Sequence, residues 1–550
     1  MPERAGATVL ARPEASDRTA PLPVTRTPEP GTRASRSGRL QKAAWGLAGV
    51  VALGVGYIPA TGVPIIADDF HAFNEAFARA DGSLWGALTY GFSAGQQASH
   101  VNPVGQAVGA LYQYLAYWSS ATLGVSPQYY DVLTTLALIA LAVAGASSTL
   151  VWGLSRLPKV QPSFWPTFAL LAAVVAVTLQ LHVPWSDDPV VSYGPAGWGS
   201  AALGFWTIAW ALRATAPGAR GWRSVLACSA LGIACVWYYE MLVSAVAAVA
   251  VAVVLTAVTA VDREQVRPRC LVLMGAAVVL PAVLFVAGRV LLAVPAEEAN
   301  YAGTTVALGR GALGALGNGM ISALPGGGWV YLTETAGPPV LSWDAVWVAA
   351  GLMALLGGIG HAWVRATAAG VRPDDGPSPS APASPAWRSP WLVPVATLVT
   401  FWAGAVATHA VTVHHGAKMS RPGLVYLSYA VGVICVAALV VLALSALRRR
   451  RWAGMLALAL PVVGVFVLLQ VALNTTLADI TAAQYPVNAR MVAQSVDGDL
   501  PEEVRCGTLQ DWLAWYWPEY YRDAVVDGIQ ENYERTFGEP FCSRLDGDTP

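Results

Sequence analysis

The chain has 550 residues, 55% of them hydrophobic and only 12% charged, where a soluble globular domain would carry roughly 25% charge. A soluble fold is thereby excluded, and an all-α polytopic membrane protein is expected. The net charge of −1 conceals a segregation of basic and acidic residues into different connections, which leaves no long basic face for nucleic acid.

Residues 1–42 are rich in Pro, Arg, Thr and Ser with few aromatics, a composition that cannot bury enough apolar surface to offset chain entropy, so a disordered tail is expected. Residues 43–60 form the first apolar span. Arg36, Arg39 and Lys42 precede it, which places the tail in the cytoplasm by the positive-inside bias and makes the span a retained anchor. Asp68 and Asp69 then emerge on the outside. Phe70, Phe73 and Phe77 recur beyond them at helical spacing, as in a short helix lying on the membrane surface.

Residues 101–123 are long enough to span, but charge argues otherwise. If they crossed, Arg156 with Lys159, the group Arg213, Arg220 and Arg223, and the run 448–451 would all fall outside. As an interfacial helix the segment keeps Gln106, Gln113 and its tyrosines wet, and those basic groups stay inside. Further spans are expected at 129–155, 165–181, 197–212, 225–239, 241–261, 271–292, 343–363, 391–410, 424–447 and 452–473, about eleven in all by the ~20-residue rule. An odd count leaves the C-terminus outside. The segments 225–239 and 241–261, joined at Glu240, could also be one kinked helix, and the count would then be even.

This divides the chain into a cytoplasmic tail (1–42), a first transmembrane part (43–292) with an outer loop at 61–128, a second part (293–473) with a Pro- and Ser-rich cytoplasmic tether at 372–390, and a C-terminal extracytoplasmic segment (474–550). No internal repeat is evident, in contrast to many transporters. Four of the six cysteines, Cys228, Cys235, Cys270 and Cys435, lie in apolar runs and read as small buried hydrophobes. Cys506 and Cys542 lie in polar sequence, and an oxidising exterior would join them in a disulfide. No CxxC or HExxH pattern points to zinc.

The acidic pair Asp68-Asp69 has two readings. Either residue could cap the helix that follows, but two consecutive acids exceed what a cap needs, and the surplus one is available as a general base or metal ligand. A second pair, Asp187 and Asp188, closes the next outer loop after His182. Oxygen ligands of this kind from separate segments would suit Mg²⁺ or Mn²⁺, with Asp68, Asp69, Asp187 and Asp188 as the candidates, although nothing in the sequence demands a metal. His100, His409, His414 and His415 fall on outer loops, where a lone histidine is usually surface. Lys418 and Arg421 break the avoidance of positive charge on that side and suggest a phosphate partner. Glu240 and Arg289 lie at the ends of apolar runs, where an ionisable residue is a functional candidate, and they could equally pair with each other. The tail cluster Trp512, Trp515, Tyr516 and Trp517 fits an interfacial belt, or a surface on which sugars stack.

The run Ala67-Asp68-Asp69-Phe70 at the outer end of a first span with a cytoplasmic start, a long outer loop with surface helices, and a second acidic site at Asp187 and Asp188 together resemble the GT-C superfamily of membrane glycosyltransferases over residues 43–292. The resemblance implies a GT-C-like helical bundle, a polyprenyl-phosphate-linked sugar as donor, an extracytoplasmic glycan, lipid or protein as acceptor, location in the plasma membrane, and inversion at the anomeric carbon. It assigns the base to Asp68 or Asp69, and Asp68, the first acid of the pair, is favoured. Lys418 and Arg421 match no family motif, so a role on the donor phosphate rests on their charge and location. A transporter or flippase of lipid-linked precursors would instead place ionisable groups near the midplane. A surface-glycan polymerase or ligase is the nearest enzyme alternative, and a non-catalytic anchor would scatter these residues over the surface.

Overall fold

The computed structural model describes residues 33–97, 101–155, 162–182, 188–216, 221–260, 263–292, 306–368, 391–446, 452–514 and 519–543. The chain divides into two units, Met1–Ala44 and Trp45–Pro550. Of the first, the described residues belong to the start of a helix. Everything below concerns the second unit. Among the described residues every regular element is helical, apart from one isolated antiparallel bridge between Val306 and Thr412.

In chain order the helices are α1 (Arg33–Tyr57), then α2 (Ala67–Asn74), α3 (Ala76–Arg79), α4 (Leu84–Gln97) and α5 (Pro103–Leu123), followed by α6 (Pro127–Leu154), α7 (Phe164–Thr178), α8 (Ser200–Ala214), α9 (Gly221–Tyr238) and α10 (Val243–Thr259). A second series holds α11 (Arg263–Met274), α12 (Leu280–Leu292), α13 (Arg310–Ser322), α14 (Trp329–Ala336), α15 (Trp343–Ala368), α16 (Leu392–Ala410), α17 (Val413–Lys418) and α18 (Ser428–Ala446). The last four are α19 (Trp452–Gln484), α20 (Pro486–Gln494), α21 (Glu502–Leu513) and α22 (Glu519–Phe537).

Eight helical segments are long and apolar enough to cross a bilayer, against about eleven expected from the sequence. The three outside that set are α7, α8 and α9. Two are short, with 15 residues in each of α7 and α8, and α9 is diluted by Arg223 and its tryptophans. The segments around Glu240 are two helices. Tyr239 is extended (φ −159°, ψ 139°), so the helical hydrogen bonding of α9 stops there and α10 starts afresh. A π-helical turn, Gly275–Val279, joins α11 to α12 in one long span. Helix α19 runs well past residue 473, so Asn474 is helical.

Burial follows composition. Helices α7 and α18 are apolar all round and lie inside the bundle, as expected of a helix with no polar face. Long runs on α12 and α15 remain exposed, including Val286, Val290 and Trp347, a surface suited to lipid. Small residues allow the close crossings. A Cβ at Gly56 would lie 2.7 Å from the Ala176 carbonyl, and one at Gly105 would lie 1.8 Å from the Tyr238 carbonyl. Gly105 thus fixes α5 directly against the end of α9.

The first loop and the C-terminal segment form a second core. Phe70, Phe73, Ala116 and Tyr117 from α2 and α5 pack with Met491, Leu509, Trp512, Val525, Ile529 and Tyr533. The Phe70 ring stacks on Trp512 at 5.9 Å, and Phe73 meets Tyr117 at 5.6 Å. Two expectations are corrected by this. The phenylalanine face of the loop helix rests on protein rather than on lipid, because residues that follow all the apolar helices supply a partner that periodicity in the loop cannot reveal. Gln113, Tyr114 and Tyr117 are buried rather than wet, because α5 is covered by α2, α3 and the tail.

Asn532 stitches the two parts together. Its Oδ1 accepts from the Ala78 amide at 2.6 Å, and its Nδ2 donates to the Phe73 carbonyl at 3.4 Å, satisfying backbone groups left open where α2 breaks at Glu75. Tyr117 donates to the Ser495 carbonyl at 3.0 Å. Cys506 and Cys542 are joined by a disulfide, Sγ to Sγ 1.97 Å, within this core. The other four cysteines are free and buried.

Candidate functional site

Helix α2 starts at Ala67, so Asp68 and Asp69 fall in its first turn, while Ile66 occupies the capping position. Neither acid is the N-cap. Asp68 is exposed and Asp69 is half-buried. The Asp69 carboxylate accepts two hydrogen bonds from other parts of the chain, one from Gln113 Nε2 of α5 at 3.0 Å and one from the Tyr193 amide at 2.6 Å.

Local backbone geometry enforces this arrangement. Three non-glycine residues in the described chain have positive φ, namely Ala67 (54°), Asp81 (48°) and Tyr193 (59°). Ala67 and Tyr193 flank Asp69 on either side, one directing the acid inward and the other aiming an amide at it. Such conformations cost of order 1–3 kcal/mol each and persist where surrounding structure over-determines them, commonly at functional sites. The π-helical turn Pro195–Gly199 begins two residues after Tyr193, another irregularity found often at such places.

Burial pushes the Asp69 carboxyl up to about 8, and the charges of Asp131 and Asp68 add to that effect, while the Tyr193 amide and Gln113 oppose it. A carboxyl of that proton affinity is a much stronger base than an ordinary aspartate, yet it still releases its proton close to neutral pH.

The ring of Tyr193 continues the site, with its centroid 6.5 Å from that of Tyr426. Around Tyr426 gather His415 at 4.5 Å, His409 at 4.9 Å and the Lys418 ammonium at 5.1 Å from the ring centre. Tyr239 approaches His409 at 6.1 Å. Beyond Tyr239, Glu240 is ion-paired with Arg289, so these two candidates engage each other. Arg421 is exposed in the turn between α17 and α18. The structure therefore brings Asp69, His409, His415 and Lys418 into one continuous arc through two tyrosines.

Asp188 is placed differently. Its carboxylate accepts from the amides of His182 at 2.8 Å and Val190 at 2.9 Å, and the His182 ring lies 3.5 Å away. That is a loop-organising role, supported from the bundle by Tyr57, whose hydroxyl donates to the Val190 carbonyl at 2.9 Å, and by Asn474, whose Oδ1 accepts from the Leu181 amide at 2.9 Å. Asp69 and Asp188 are thus engaged by separate sets of donors. Among the described residues the one group of three potential metal ligands within reach of a common ion is Glu502, Cys506 and Cys542, and its cysteines are spent in the disulfide. His100 and Asp187 lie outside the described residues, as do Trp515, Tyr516 and Trp517 and the tether at 372–390, and the side chain of His414 is likewise outside them.

Sequence reasoning missed Gln113, Asp131, Tyr193 and Tyr426. Gln113 stood out only as a polar residue in an apolar helix, and that was its one signal. No protein family, curated protein or solved structure matches the chain.

Proposed function

We propose that this protein is a membrane glycosyltransferase that moves a sugar from a polyprenyl-phosphate donor to an extracytoplasmic acceptor, with Asp69 as the general base. The observation that carries the reading is the Asp69 cradle, in which a carboxyl of raised proton affinity is held between strained backbone and Gln113, just beyond the first span. Asp69 rather than Asp68 takes the role because it is the acid that points inward. The carboxylate accepts the proton of an acceptor hydroxyl as that oxygen attacks the anomeric carbon, and the lipid phosphate departs with the bond's electron pair. Base assistance of this kind contributes on the order of 10²- to 10⁴-fold. Lys418, at the far end of the arc, and Arg421, in the turn beyond it, are the cations suited to the phosphate charge.

In this reading all eleven apolar segments cross the plasma membrane, the N-terminus is cytoplasmic, and the first loop and the C-terminal segment share the outer side. Their common core supports that sidedness. Cysteines introduced at Ser126 and Asp511, both exposed, are expected to react with an impermeant thiol reagent from outside intact cells. Reaction only after permeabilisation at either position would overturn the topology.

Purified protein given polyprenyl-phosphate sugars is expected to transfer the sugar, with a rate that climbs as pH rises through about 8. The sign follows from the base being active only when deprotonated. A rate that falls over that interval would remove Asp69 from the role, and no transfer from any such donor would sink the reading itself.

A further inference from the structure

Asp131 lies in the first turns of α6, and its surroundings connect it to Asp69. Two consecutive residues of α5 reach the two acids, since the Tyr112 hydroxyl donates to Asp131 Oδ1 while Gln113 donates to Asp69 Oδ1. Thr134, one turn along α6, donates to the Tyr112 oxygen at 3.4 Å, and the Tyr130 ring packs on Tyr112 at 5.5 Å. Gln128, at the start of α6, donates at 2.9 Å to the Thr61 carbonyl and also to that of Val63. These contacts hold the beginning of α6 against the segment that leads into Asp69. The α5 pair and Gln128 independently tie the start of α6 to the segment that carries Asp69, and no function considered so far uses Asp131.

We propose that Asp131 is a positioning residue for Asp69, the two carboxyls being held by neighbouring residues of α5 so that the charge of Asp131 sets the proton affinity of Asp69. The inference deepens the base role given above and uses that site, but its test does not depend on transfer. The titratable and charged groups that act on Asp69 are Asp131 from α6 and Asp68 from its own helix, and Asp69 in turn acts on Tyr112 of α5 and Tyr57 of α1. Those that Asp131 acts on are Asp69, Tyr112, Tyr57 and its helix neighbour Tyr130. Among the described residues no lysine or arginine is one of them, so no described cation compensates the second negative charge. Two like charges in a poorly solvated site do not ionise independently, and their protons leave in two steps that belong to the pair. The raised proton affinity of Asp69 agrees with this.

The experiment is carbodiimide labelling of the full chain in lipid nanodiscs over a range of pH, read at each acid by peptide mass spectrometry. Carbodiimides react with protonated carboxyls, so the midpoint of labelling reports proton affinity directly. In the unaltered protein Asp69 is expected to label up to about pH 8. In Asp131→Asn that midpoint is expected to drop by about one unit or more, a tenfold or larger loss of proton affinity, whereas Asp131→Glu, which retains the charge, keeps it high. Asp131→Ser, a second neutral variant, must lower the Asp69 midpoint likewise, which keeps the test decisive if Asp131→Asn does not fold. An unmoved Asp69 midpoint in a folded neutral variant would overturn the pair. A shift found in a protein that transfers no sugar would keep the pair and discard the transferase reading.

Discussion

Replacing Asp69 by asparagine is expected to lower donor-dependent sugar transfer by ~10²-fold or more while leaving the fold intact. Asparagine retains an oxygen for the Tyr193 amide, and the Gln113 amide can rotate to present its own oxygen to the new NH₂ group. What is lost is the capacity to take a proton. Asp68→Asn is expected to have a far smaller effect, because Asp68 faces solvent. Asp188→Asn forms the contrasting case. Its carboxylate holds two backbone amides of its own loop, so that variant should lower stability and activity together. Turnover of purified, correctly inserted variants with a polyprenyl-phosphate sugar separates these outcomes. Full activity in Asp69→Asn would end the general-base role.

The second large effect is expected at Arg505, which is only 2% exposed in the C-terminal segment. Its guanidinium donates to the Phe541 carbonyl at 3.0 Å, the Leu500 carbonyl at 2.5 Å, the Tyr533 hydroxyl at 2.7 Å and the Pro540 carbonyl at 3.3 Å, and it pairs with Glu539 at 2.9 Å. One planar fork thereby closes the turn that carries Cys542 onto α21 and α22. Arg505→Met would fill much of the volume but strand several buried acceptors, and breaking such a buried centre costs about 3–5 kcal/mol. Hydrogen exchange across α21 and α22 should accelerate by ~10²-fold or more, even with the disulfide intact. Because α2 packs on this core, transfer should decline as well. Unchanged protection in α22 would show that the fork is dispensable.

The parts legible in the sequence were those written in local pattern. Apolar runs located the helices, the placement of Cys506 and Cys542 in polar sequence gave their disulfide, and the charge of Glu240 and Arg289 within apolar surroundings left pairing open, as the structure has it. Sidedness of the phenylalanines was legible as periodicity, but periodicity names a buried face without naming what buries it. The cradle was illegible for a different reason. Gln113 and Tyr193 lie 44 and 124 positions from Asp69, and the positive φ values at Ala67 and Tyr193 occur in residues that give no sign of it, where a glycine would have drawn notice. The sequence left the span count open only where 225–239 meets 241–261, and the extended Tyr239 that separates α9 from α10 has no local signal.

The seam between the first loop and the C-terminal segment has a bearing on how the protein is made. Asn532 bonds backbone groups of residues 73, 74 and 78, over 450 positions earlier, and it follows every apolar helix in the order of synthesis. The helix bearing Asp69 therefore waits, exposed and incompletely supported, while the rest of the chain is translated and inserted. Phe73 can meet Tyr117 of α5 early, but Trp512 and the packing face of α22 come last, so a nascent chain interrupted before residues 486–543 carries the acid pair without that part of its support. The support that holds the acid-bearing helix is thus completed only once residues 486–543 have been made.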